Sequence, residues 1–267
     1  MIEVSQLDVW FPIRKGVFSR VVDQVRAVQS VSFSIPKGEL FSVVGESGSG
    51  KSTLGNALLG LIDVTSGSVR WNGNEFFTNS KQPSRSHRRL FQMIYQDSNS
   101  SLNPRKTIYE TLAEPMIYHK LCKRSEAKDK VAYLLEMVQL EADMMSRFPF
   151  AFSGGQRQRI NIARTLGVEP EFIVCDEVVS ALDVSIQAQI LELIMGLKER
   201  LNLTLMFIGH DLAVVKNISD RIMVMNQGRI EEIGTPEELF THPQTDYTKK
   251  LLSAVPSLDL SRRKRRL

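Results

Sequence analysis

Cysteine is nearly absent: the 267 residues contain two, Cys122 and Cys175. That excludes a disulfide framework and any zinc cluster built on thiolates, and it favours a reducing compartment. Long hydrophobic runs are missing too. No apolar stretch approaches the ~20 residues needed to span a bilayer, and the opening MIEVSQLDVWF lacks the form of a signal peptide. A soluble, intracellular protein is the expectation. Repeats and low-complexity tracts are also absent. Hydrophobic residues make up 42% and charged residues 24%, a globular composition rather than a disordered one. The length suits one large domain, or a domain with an inserted subdomain.

An excess of one charge is lacking in the body of the chain. The formal charge is +4, but Arg262, Arg263, Lys264, Arg265 and Arg266 supply five positives, leaving 34 − 5 = 29 basic residues against 30 acidic ones. A nucleic-acid-binding domain carries its charge on a folded face, so no nucleic acid is expected as partner. The basic run reads as a solvated end, with attraction to anionic lipid or nucleic acid as the alternative.

What is present is an alternation of strands and helices. Residues 2–9 alternate loosely, and residues 27–35 (AVQSVSFSI) more clearly, with Val28, Val31, Phe33 and Ile35 apolar. The polar, basic stretch 12–26 between them reads as a loop. Residues 40–44 form an apolar run of strand length, followed by a glycine-rich loop and a helix over 52–61. Residues 69–72 with Asn72-Gly73 predict a hairpin. Val131, Leu134, Leu135 and Val138 fall on one face of an amphipathic helix. Further helices are expected over 153–167 and 184–201, and buried strands over 172–175 and 203–208. Residues 221–225 and 229–233 predict a hairpin around Asn226-Gln227-Gly228. Thr235-Pro236-Glu237-Glu238 opens a helix with a Thr cap, Pro at the first position and Glu at the third. Interleaved strands and helices imply an α/β core with parallel strands. The helical stretch of about 99–166 reads as an inserted subdomain, and about 240–267 as a C-terminal extension.

Three segments carry chemistry. Gly45-Glu46-Ser47-Gly48-Ser49-Gly50-Lys51-Ser52 matches G-x-x-x-x-G-K-[ST], the Walker A phosphate loop. Its glycines let backbone N–H groups turn toward phosphate oxygens, Lys51 reaches the β/γ-phosphates, and the Ser52 hydroxyl is a Mg²⁺ ligand. The following helix aims its positive end at the anion. Phe172-Ile173-Val174-Cys175-Asp176 is a Walker B pattern that brings Asp176 to the magnesium shell. Glu177 comes next, placed to act on an attacking water as general base. Ser153-Gly154-Gly155-Gln156-Arg157 reads locally as a capping box. Its two glycines also leave a helix start bare for a phosphate. One nucleotide needs one Walker loop, so a second phosphate-facing helix start is useful to ATP bound by another subunit.

In the chain order Gly45–Ser52, Ser153–Arg157, Asp176-Glu177, the three segments resemble the ABC (ATP-binding-cassette) ATPases, whose signature is LSGGQ. The resemblance covers nearly the whole chain. It implies a P-loop NTPase core with an N-terminal antiparallel β-subdomain and an inserted α-helical subdomain, and it implies Mg²⁺ with ATP as substrate. Thr53 joins the loop residues as an ATP contact. Gln96, in Ile94-Tyr95-Gln96-Asp97, resembles the glutamine that touches the metal and the water. His210, in Gly209-His210-Asp211, resembles the switch histidine at the γ-phosphate. Asp183, in Ser180-Ala181-Leu182-Asp183, resembles the D-loop acid at the dimer interface. Phe11, with Trp10 as rival, fits the aromatic that stacks on adenine.

Ser101-Leu102-Asn103-Pro104-Arg105, the stretch 12–26 and the segment from Tyr247 to Pro256 narrow the resemblance to the oligopeptide/dipeptide/nickel importer ATPases. Such a resemblance implies a second ATPase subunit (a non-identical sister or an identical copy), two transmembrane permeases and an extracellular or periplasmic substrate-binding protein. The location it implies is the cytoplasmic face of the membrane. Four positions depart from the family pattern: Val178 and Val179 after Glu177, Phe152 in place of Leu, and Gly209 in place of Ala. No cysteine cluster near the C-terminus predicts an iron–sulfur site. The alternatives are an ABC ATPase outside transport and a P-loop kinase, the latter having no use for Ser153-Gly154-Gly155-Gln156.

Overall fold

The structure is a computed structural model that describes residues 1–16, 19–78, 84–95 and 101–253. Two sheets face each other across a shared core. The first is antiparallel, in the order β2-β1-β4-β5, from β1 (Ile2–Lys15), β2 (Arg20–Ile35), β4 (Ser66–Trp71) and β5 (Asn74–Thr78). The second has the order β10-β9-β3-β8-β7-β6. In it β3 (Leu40–Val44), β6 (Phe91–Ile94), β7 (Phe172–Asp176), β8 (Thr204–Ile208) and β9 (Arg221–Asn226) run parallel, and β10 (Arg229–Gly234) returns antiparallel to β9.

Unbroken apolar strands form here because the second sheet is covered on both faces. In β3, Leu40 and Val44 enter one core while Phe41 and Val43 enter the other. Helix α1 (Lys51–Leu58) lies between the sheets and contributes Leu54, Ala57 and Leu58 to their shared core. Its Gly55 is pressed onto β7 and β8: a Cβ there would stand 2.9 Å from Ile208 Cδ1 and 3.0 Å from Val174 Cγ1. The other face of the sheet is covered by α3 (Ile108–Tyr118), α4 (Ala127–Met137), α5 (Gly154–Leu166) and α6 (Val184–Leu201), which bury Leu112, Val131, Ile160 and Leu193. The short α2 (Arg85–Leu90) leads into β6. Three more helices, α7 (Leu212–Ile218), α8 (Pro236–Thr241) and α9 (Asp246–Ser253), alternate with or follow β9 and β10.

Several local expectations hold. Asn72 and Gly73 take φ of 49° and 78°, the left-handed pair of a tight hairpin turn, between β4 and β5. Val131, Leu134 and Leu135 are buried along α4, and Val138 is its buried C-cap. Thr235 caps α8 with the full reciprocal box to Glu238. Helix α1 is shorter than expected, ending at Leu58. Gly60, at φ 64°, turns the chain while the Gly60 and Leu61 N–H groups donate back to Ala57 and Asn56 carbonyls, a glycine-terminated helix end.

The stretch 12–26 is not a loop over residues 12–15 and 20–26, which are strand. Strands β1 and β2 continue through it as a paired ribbon, with Phe11 opposite Val25, Pro12 opposite Gln24 and Lys15 opposite Arg20. The partnership of β1 with β4 ends at Asp8, so among the described residues the ribbon has neither a third strand nor a buried face. Val21, Val22 and Val25 remain about half exposed. Pairing alone defines this segment, and Pro12 is tolerated because β1 has no neighbour on its other side there.

Candidate active site

The phosphate loop joins β3 to α1. Two of its glycines are fixed by crowding as well as by backbone angle. Gly45 and Gly50 take φ of 151° and 101°, and a Cβ would stand 2.1 Å from Met225 O at Gly45 and 2.2 Å from Ala27 O at Gly50. No L-side chain fits either place. The loop is thus clamped between β9 and β2, and the Gly228 N–H donates to Ser49 O at 2.9 Å.

Lys51 is 7% exposed. Its Nζ donates to Gly45 O and Glu46 O, both at 2.8 Å, and to Ser49 Oγ at 3.4 Å. Burial lowers its pKa, against the pull of Glu177 and Asp176. The ammonium is therefore held at a site that penalises its charge, and an arriving anion removes the penalty. Ser52 Oγ donates to Asp176 Oδ1 at 3.0 Å, joining the helix start to the tip of β7. Burial raises the Asp176 carboxyl above its ordinary value, and the nearby Glu177 charge adds to this, while the Ser52 hydroxyl and Lys51 oppose it.

Glu177 follows at φ 48°, a left-handed backbone that a glutamate adopts at a cost. Its N–H is held by Ile208 O at 2.9 Å, which fixes the turn and aims the side chain back toward the loop. Glu177 Oε1 lies 3.7 Å from His210 Nδ1. His210 follows β8 and is 64% exposed at its side chain, while the neighbouring Asp211 caps α7 through Ala213 and Val214 N–H groups.

Part of this set lines a cleft of about 530 Å³, namely Ser47, Gly48, Gly50, Lys51, Ser52, Thr53 and Glu177, while Asp176 and His210 stand outside the lining, joined to it through Ser52 and Glu177. Gly45 and Ser49 are buried beneath it. The opposite wall is made of Gln24, Val25, Arg26, Ala27, Gln29, Gln227 and Gly228, none of which was anticipated. Gln24, Val25 and Arg26 belong to the stretch read as loop, and Ala27 and Gln29 to the strand expected over 27–35. The rest comes from the Asn226-Gln227-Gly228 turn, whose glycine was the available signal. Phe11 is not in the lining. It is 40% exposed and pairs across β1–β2 with Val25, which is. Trp10 carries the Arg26 guanidinium 4.8 Å over its ring and lines a separate groove with Asp8 and Arg229. Gln96 lies outside the described residues.

The Ser153 segment stands apart: neither Ser153, Gly154, Gly155 and Gln156 nor Asp183 lines the cleft. Ser153 caps α5 with the expected box, Gln156 N–H donating to Ser153 Oγ at 3.3 Å and the Gln156 side chain accepting from Ser153 N–H at 3.0 Å. The glycines have a packing role that the local pattern did not reveal. A Cβ at Gly155 would stand 2.7 Å from Ile186 Cγ2, so α5 and α6 touch through it. Asp183 sits at the N-cap of α6 without a side-chain capping bond. Val178 and Val179 are buried in the core, while Ser180 closes a turn onto Glu177 O.

The donors at Ser52 and Asp176 are hard oxygens beside a phosphate loop. Mg²⁺ takes one or two carboxylates and completes its shell with phosphate oxygens and water, so these residues suit it. Among the described residues no cluster of three or more His, Cys, Asp or Glu is arranged to hold a metal. Burial pushes the Cys175 thiol up to about 12, leaving it a protonated core residue. Also among the described residues, no helix is long and apolar enough to cross a membrane.

Comparison with known proteins agrees with this geometry. The family model described as ABC transporter matches residues 28–180. The oligopeptide transport ATP-binding protein OppF of Lactococcus lactis subsp. lactis is 46% identical over 98% of this chain and 82% of its own length. The glutathione import ATP-binding protein GsiA of Pectobacterium atrosepticum is 47% identical over 99% of this chain, which spans 42% of that longer protein. A solved dimeric ATP-binding cassette, in a post-hydrolysis state bound to ADP and Pi, superposes with a TM-score of 0.75 at 28% identity, covering 88% of this chain and 99% of the other. The chain belongs to the ABC transporter family and is an ABC ATPase.

Proposed function

We propose that this ABC ATPase powers the uptake of oligopeptides, dipeptides or related small substrates such as nickel chelates. Its similarity to OppF and GsiA supports that substrate class. The observation that carries the mechanism is the convergence of Lys51, Ser52, Asp176, Glu177 and His210 at the C-terminal ends of β3, β7 and β8, while Ser153 lies outside the cleft that Lys51, Ser52 and Glu177 line.

Lys51 exchanges the Gly45 and Glu46 carbonyls for the β/γ-phosphates of ATP. Ser52 and Asp176, with Gln96, would hold Mg²⁺, which would offset phosphate charge. A Glu177 carboxylate oxygen takes the proton of the attacking water. His210 orients the Glu177 carboxylate and meets the γ-phosphate, and the Phe11 ring stacks on adenine. The second half of each pocket is Ser153, Gly154, Gly155, Gln156 and Asp183 of a second ATPase subunit, arranged head to tail. ATP favours closure because the γ-phosphate binds donors on both subunits, and a ligand shifts an equilibrium only through such differential affinity. Hydrolysis removes the bridge and the pair reopens.

The partners that follow are a sister ATPase or a second copy, two transmembrane permeases and a substrate-binding protein outside the cell, with no nucleic acid. The chain then works at the cytoplasmic face of the membrane, its helical stretch of about 99–166 acting as one unit. The test is ATP turnover per mole of chain against protein concentration. Turnover should rise with concentration as pairs form. A rate that is constant in a strictly monomeric preparation overturns the shared pocket.

A further inference from the structure

The hydroxyl oxygen of Tyr247, on the first turn of α9, accepts a hydrogen bond from the Glu46 N–H at 3.2 Å, across 201 residues of sequence. That N–H and the Gly45 carbonyl are two ends of one peptide group. The carbonyl end is a 2.8 Å acceptor for Lys51 Nζ. A single peptide plane in the phosphate loop is thus held at one end by the C-terminal helix and at the other by the lysine that meets phosphate. Gly45 has no side chain to resist rotation of that plane.

The helix that supplies Tyr247 is itself fixed. Glu232, on β10, accepts from the N–H groups of Gln244 at 3.0 Å and Thr245 at 3.2 Å, and from the Thr245 hydroxyl at 3.5 Å. Burial alone would push the Glu232 carboxyl up, but these hydrogen bonds and the Thr248 hydroxyl hold it below its ordinary value. Thr248 is 1% exposed and its hydroxyl lies 2.8 Å from that of Thr245, so α9 cannot slide without uncovering it. Tyr247 does not line the nucleotide cleft. Its route to the chemistry runs through the Gly45–Glu46 peptide.

We infer that Tyr247 is a positioning residue for nucleotide binding: its hydroxyl sets the tilt of the Gly45–Glu46 peptide, and so the place from which Lys51 meets the phosphates. Without the hydroxyl the peptide rotates, and in part of the population a carbonyl faces the anion instead of Lys51. The α9 segment thereby becomes part of the ATP site without touching ATP. This rests on the ATPase reading above.

The experiment uses the full chain and Mg²⁺–ATP. Tyr247→Phe keeps the ring and removes only the hydroxyl, and Glu232→Gln loosens the seat of α9 from a second direction. The expected result for Tyr247→Phe is a KM for ATP raised by about three- to tenfold, the range for losing one hydrogen bond. Its kcat should stay within about twofold, and its urea midpoint should fall by no more than the loss of that one hydrogen bond accounts for. Glu232→Gln should move KM in the same direction. An active unaltered chain with unchanged KM in Tyr247→Phe, or a loss confined to kcat, overturns this inference alone. An unaltered chain that neither binds nor hydrolyses ATP overturns the ATPase reading first, and this inference with it.

Discussion

Glu177 and His210 reach toward each other from the ends of adjacent parallel strands, Glu177 Oε1 standing 3.7 Å from His210 Nδ1. Among the described residues, neither side chain makes a hydrogen bond that holds the fold. The backbone of Glu177 is tied to Ile208, and the exposed ring of His210 is available to a ligand.

Glu177→Gln keeps the shape and removes the basic oxygen. Phosphate release should fall by about two orders of magnitude or more, while ATP affinity is retained and a closed dimer accumulates. Phosphate assays and size-exclusion chromatography with ATP read both effects. Undiminished turnover would remove Glu177 from the role of base.

Asp176 gives a pH-dependent stability effect with a defined sign. Burial raises its carboxyl pKa in the folded chain, so the folded state binds the proton more tightly than the unfolded one. At neutral pH the charged Asp176 therefore lowers stability, and this loss is recovered as pH falls through its folded-state pKa. Asp176→Asn should raise the melting temperature of the nucleotide-free chain by about 2 °C at neutral pH. The advantage should shrink on acidification, and Mg²⁺–ATP turnover should be lost. Thermal melts across a pH series check the trend; a gap that widens toward acid contradicts it.

Ser153 separates capping from catalysis. Aspartate caps a helix as well as serine does, but it presents a carboxylate to an incoming phosphate. Ser153→Asp should melt like the unaltered chain and yet lose ATP-driven pairing and most turnover. Ser153→Ala should lose about 1 kcal/mol of stability through the missing cap. Equal turnover in Ser153→Asp would confine Ser153 to its own helix.

Gly155→Ala should cost about 1–3 kcal/mol by overpacking, because its methyl would overlap Ile186. Adding Ile186→Ala should restore most of the loss. If the double variant is no more stable than the single one, the contact between α5 and α6 is not the cause.

The sequence revealed the site where chemistry forces unusual residues into a short span. Glycines at special angles, a lysine between them, and acids at the tip of an apolar strand leave a local record. The buried strands and the Ser153 and Thr235 caps were legible for the same reason. The ribbon over 12–26 was not. Alternation reports burial of one face, and Val21, Val22 and Val25 are exposed on a ribbon that buries neither. The Gln24–Arg26 part of the cleft wall was lost with it. The fit of Gly155 against Ile186 and the bond from Tyr247 to Glu46 join distant parts of the chain, and no local window contains both partners.

The fit of Gly55 against Val174 and Ile208 bears on how force leaves the site. With no slack at that seam, the rod that receives the phosphates and the strands leading to Asp176 and His210 travel as one solid piece. A displacement of that helix is then shared by the strands that lead to the two side chains, instead of being taken up at the seam between them.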